Sequence, residues 1–79
     1  MLKHAEASDP FSCWNKARDD ERVFVLLARD VAAPGTIRKW VTERIALGKN
    51  QPGDPQIQEA LACAALMEAE QGGEVLDKV

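Results

Sequence analysis

The hydrophobic pattern of this chain changes period as it proceeds, and each period predicts a different element. After Asp9-Pro10, Phe11, Trp14 and Ala17 recur at every third position. Asp accepts from free backbone N–H groups, and Pro at the first helical position loses no bond it would have made. A short helix is therefore expected to start here and to end before Asp19-Asp20-Glu21. From Val23 to Ala28 the apolar residues run without a break, β-branched or aromatic in the first half, and the segment from about 22 to 28 reads as a strand. As a helix it would point apolar groups in every direction and need burial all round. As a strand it sets Val23, Val25 and Leu27 on one face and Phe24, Leu26 and Ala28 on the other.

A helical period returns at Ile37, Trp40, Val41, Arg44 and Ile45. It predicts a helix over about 34–47, begun by Pro34, closed by Gly48 and anchored in the core by Trp40. Lys49 to Asp54 is a turn-rich linker, and Asp54-Pro55 repeats the start signal of Asp9-Pro10. The last helix is expected over about 55–71. Ile57, Leu61, Ala64 and Glu68 form one row, Ala60, Cys63 and Met67 lie beside it, and Gly72-Gly73 ends it. Beyond, Val75, Leu76 and Val79 are placed to dock on a neighbour.

The expected fold class is α+β and mainly helical: a short helix, one strand and two longer helices. The alternative is a small all-α bundle with residues 20–30 helical. One domain is expected over residues 1–79, with 1–8 and 73–79 flexible. A lone strand has no partner in its own chain, and each buried unpaired backbone group costs roughly 1–3 kcal/mol. Antiparallel pairing with a second copy across a two-fold axis removes that cost, so the strand implies a homodimer.

Composition narrows the function classes. With 79 residues, 46% apolar and 29% charged, the chain has a globular profile but a marginal core. A net charge of −3 disfavours a mainly electrostatic grip on nucleic acid or anionic lipid. The acidity is concentrated at the end: eight basic and seven acidic residues precede Lys49, whereas two and six follow from it onward. Cys13 and Cys63 lie outside any CxxC pair or Cys/His cluster, which argues against zinc; both read as free thiols behaving as small hydrophobes. No signal-like N-terminus or ~20-residue apolar span appears, so a cytoplasmic protein without membrane contact is expected.

Two resemblances follow from particular residues. The order strand, helix, helix over roughly 22–71 resembles the ribbon-helix-helix family of dimeric DNA-binding regulators, whose paired strands enter the major groove. Its base-reading ribbon would carry Val23, Phe24, Val25 and Leu26 where polar side chains are needed, leaving only Arg22 and Arg29 to reach DNA. The run Asp20-Glu-Arg-Val-Phe-Val-Leu-Leu-Ala-Arg-Asp30, followed by Ala33-Pro34 and Ile37-Arg38-Lys-Trp40, looks like a small family of uncharacterised proteins encoded in bacteriophages and prophages. That resemblance implies a phage accessory protein acting on a host protein, including components of defence systems, or on a phage protein.

No constellation supports catalysis. His4, the only histidine, sits in a polar N-terminal stretch without a fixed neighbour. Asp19, Asp20 and Glu21 would need further ligands to enclose a cation. Gly48-Lys49-Asn50 follows a helix, whereas a phosphate-binding loop follows a strand. The candidate partner or dimer contacts are Val23, Phe24, Val25, Leu26 and Trp14. Arg38, Lys39, Arg44 and Lys49 form a candidate basic patch, which competes with a solvated helix face and with a contact to the acidic helix bearing Glu59, Glu68 and Glu70. The sequence thus points to a non-enzymatic interaction protein without cofactor or metal.

Overall fold

Two helices carry the core. In the computed structural model, which describes residues 1–72, α1 spans Lys3–Ser8, α2 Cys13–Lys16, α3 Ala33–Ala46 and α4 Pro55–Gly72. The helices α3 and α4 pack against each other through Val41, Ile57 and Ala60, with Ile37, Ile45 and Leu61 closing the sides. Ala33 and Ala64 are fully buried, and Ile57 is a large side chain buried to 1% exposure. Of the predicted rows, Ile57, Leu61 and Ala64 with Ala60, Cys63 and Met67 are buried or half-buried on the inward side of α4, whereas Glu68, the last member of the first row, is exposed. Alanines on that side give little transfer energy but let other side chains approach the helix closely.

The ends of the hairpin are set by local chemistry. Gly48 adopts φ +73°, its N–H donates to Ile45 and the Lys49 N–H to Arg44, which is the Schellman arrangement that satisfies the last carbonyls of a helix. In the linker, the Asn50 side chain accepts from Arg44 Nε at 2.7 Å and donates to Asp54 Oδ2 at 3.0 Å. Asp54 Oδ2 also accepts from the Gln51 N–H at 3.0 Å. The Gln51 N–H and then the Asn50 amide hold the Asp54 carboxyl below the usual range.

The N-terminal third builds a separate small hairpin. Asn15 Nδ2 donates to the carbonyls of Glu6, Ala7 and Asp9 at 2.8–3.1 Å. Ser12 Oγ donates to Glu6 O at 2.6 Å while accepting from the Asn15 N–H, which caps α2. Two short helices are thus joined by side-chain hydrogen bonds to backbone, with no large apolar residue buried between them.

Three expectations need correction. Asp9-Pro10 does not begin a helix: Asp9 Oδ1 accepts from the Phe11 N–H in a turn, and the helix starts after Ser12. Trp40 is not the core anchor, because its side chain stays 39% exposed under Arg44, whose guanidinium carbon lies 5.7 Å from the ring centroid. On α3, Val41 takes the inward position and the ring falls on the flank of the two-helix contact.

The third correction is the strand. Among the described residues the fold is helical and has no sheet, so the expected α+β class gives way to the all-α alternative. Residues 22–27 are neither helix nor strand. Nothing else in the described chain is extended and free to pair with them, and a two-helix core has no surface left to enclose a helix that is apolar all round. Among the described residues no backbone N–H from Arg22 to Arg29 has a backbone partner. Facing water, those groups avoid the burial cost on which the strand-based dimer expectation rested. The glycine stop at 73 and the docking of Val75, Leu76 and Val79 lie outside the described residues.

Candidate functional site

The run that fails to join the core is held at its downstream end and open elsewhere. The Asp30 N–H donates to Leu27 O at 3.0 Å, closing a turn, and Asp30 Oδ1 accepts from the Ala32 N–H at 2.9 Å at the entry to α3. From α4, Gln71 Nε2 donates to the carbonyls of Ala28 and Asp30, both at 2.7 Å. One amide therefore ties the end of the run to the helical hairpin.

Upstream of that tie the side chains point outward. Phe24 is 85% exposed, and Val23, Val25 and Leu27 are exposed as well, while Leu26 is half-buried. Trp14 on α2 is 56% exposed and Phe11 before it 78%. Among the described residues, seven of the twelve exposed large apolar side chains fall between Phe11 and Val31. An open cleft of about 310 Å³, lined by Cys13, Lys16, Ala17, Glu21, Arg22 and Val23, lies where α2 meets the start of the run. The sequence pointed to Val23, Phe24, Val25 and Trp14 as contacts, and all four are accessible; Leu26 is only partly so. Phe11, Leu27 and Val31 were missed. Their signal was an apolar side chain beside a turn-forming Asp, at Asp9-Pro10 and Asp30, or at the last step of the run before its turn.

The basic patch is divided between α3 and its loop. Arg38 is committed to α4, where Nη1 and Nη2 donate to Glu68 Oε2 and Oε1 at 2.8 and 2.6 Å. This fork–fork pair joins one basic residue of α3 to one acidic residue of α4, and Arg38 in turn lowers the Glu68 carboxyl through those hydrogen bonds. Arg44 is engaged by Asn50 and lies over Trp40. Lys39 and Lys49 are exposed, but two lysines are too few to track a phosphate backbone.

The remaining candidates have local roles. Glu21 Oε1 accepts from the Arg18 N–H at 3.0 Å, and Arg18 Nε lies 3.8 Å from Asp20 Oδ1, with both side chains almost fully in water. Cys13 is an exposed thiol and Cys63 a half-buried one, with no disulfide between them. His4 lies exposed on α1. Among the described residues no three His, Cys, Asp or Glu side chains converge on one point, and no helix is long and apolar enough to cross a membrane. The chain matches no family model, and no curated protein or solved structure is similar to it.

Proposed function

We propose that this is a small accessory protein that acts by protein–protein interaction, in the phage or prophage setting that its Asp20–Trp40 motif resembles, on a host or phage protein in the cytoplasm. The observation that carries this reading is the concentration of exposed apolar side chains between Phe11 and Val31. A small chain that leaves Phe24, Phe11 and Trp14 in water incurs a solubility cost with no gain in core stability, and a cluster of such residues along one segment supports a contact role. Trp and Phe give much buried area for little lost freedom, which favours Trp14 and Phe24 as the anchors. The reading includes self-association through the run and assigns the protein no catalysis.

The test is affinity capture from host lysate with the wild-type chain and with Trp14→Ser and Phe24→Ser, each with and without nuclease. A protein retained by the wild type under both conditions and lost from either variant supports the reading. Equal capture by all three chains contradicts it, and retention only without nuclease points to nucleic acid instead.

A further inference from the structure

The cleft between α2 and the start of the apolar run carries charge that its own residues do not satisfy. Cys13, Lys16 and Ala17, spaced three and four positions apart, share one side of α2 and its C-terminal cap. Glu21, Arg22 and Val23 line the cleft with them. The turn between the two walls is closed twice by the same two residues: the Glu21 N–H donates to Arg18 O, and the Arg18 N–H donates to Glu21 Oε1, both at 3.0 Å. The second bond engages the carboxylate that lines the cleft, while Asp19 and Asp20 lie on the turn outside the lining. The two lining cations are uncommitted. Among the described residues, neither the Lys16 nor the Arg22 side chain makes a hydrogen bond within the chain or an ion pair. Ala17 and Val23 give the same cleft apolar surface, and the exposed Trp14 and Phe24 adjoin Cys13 and Val23 in sequence. Its volume of about 310 Å³ is at the small end of ligand pockets, enough for one or two side chains of a peptide.

Resting on the interaction reading above, we propose that this cleft takes an acidic segment of the partner protein, in which an aliphatic side chain is flanked by carboxylates. The aliphatic group enters beside Ala17 and Val23. One carboxylate meets the Arg22 guanidinium, whose fork matches it in two hydrogen bonds, and another meets the Lys16 ammonium. Trp14 and Phe24 supply further apolar contact area next to the charged pair. The complementary charges select the segment and the aromatic rings hold it.

The experiment follows alkylation of the Cys13 thiol by mass spectrometry, with Cys63 in the same chain as the internal control. The probes are the synthetic peptides Asp-Glu-Leu-Asp-Glu, Asn-Gln-Leu-Asn-Gln and Lys-Lys-Leu-Lys-Lys, each up to millimolar concentration at low salt. The acidic peptide should slow alkylation of Cys13 and leave Cys63 unchanged, and the other two should do neither. Lys16→Glu or Arg22→Glu should raise the half-protecting concentration about tenfold or more. The double variant Lys16→Glu, Arg22→Glu should be protected by the basic peptide instead, a reversal that an unfolded chain would not show. No protection by the acidic peptide, equal protection by the uncharged one, or unchanged protection in Arg22→Glu would overturn the proposal. A protein captured through Trp14 and Phe24 equally well by wild type and Arg22→Glu would also overturn it, while leaving the interaction reading in place. The two readings therefore fail separately.

Discussion

At the scale of single residues, burial divides the side chains into those that hold the fold and those left in water. Ile57 sits at the centre of the helical contact, so Ile57→Ala should cost about 2–5 kcal/mol in denaturant unfolding. Trp40→Ala should cost well under the ~3–5 kcal/mol of a buried aromatic, because much of the ring is already in water. Had Trp40 been the core anchor, the order would reverse. Gly48→Ala forces a side chain into the left-handed region and should cost about 1–2 kcal/mol. The carboxyls of Glu68 and Asp54 titrate low in the folded chain. A lowered folded pKa contributes stability that is present above the ordinary carboxylate range and is lost as pH falls through the lowered value. Glu68→Gln and Asp54→Asn should therefore flatten the acid limb of a stability–pH profile without shifting its neutral-pH shape. Glu68 is solvent-exposed, so added salt should shrink its effect.

At the scale of elements, the two long helices were legible and the rest only in part. Pro34, Gly48 and Pro55 mark boundaries through backbone chemistry that tertiary context rarely overrides, and the predicted bounds lie within a residue or two of those observed. The rows of α4 were readable because helical spacing alone decides which side chains share a side. Trp40 misled because size suggests burial, whereas a contact between two helices rewards a side chain at its centre over a large one at its flank. The run 22–28 misled for a different reason. Its residues favour a strand, but a strand is a property of a pair, and no second strand is present among the described residues. The N-terminal hairpin escaped notice because its organiser is one amide, Asn15, donating to three carbonyls, with no periodic signal. Asn15→Ala should melt α1 and α2 while leaving α3–α4 stability unchanged, as resolved by residue-specific amide chemical shifts. A matching loss in the long helices would show that the two hairpins support each other.

At the scale of the whole molecule, the chain is a helical hairpin with an apolar arm. The hairpin folds on a core of few large side chains, and the arm joins it to the N-terminal pair while exposing the residues that a partner or second copy would cover. Arg38–Glu68 engages one charge of the basic side of α3 within the chain, and the proposed contact surface is the apolar arm. The measurement that tests this most directly is amide hydrogen exchange of the purified chain at low and high concentration. Protected α3 and α4 amides are expected at both concentrations, with residues 22–29 exchanging freely when dilute and slowing when concentrated. Protection of 22–29 in dilute chain, unchanged on concentration, would place the run in the core of the single molecule and contradict the account.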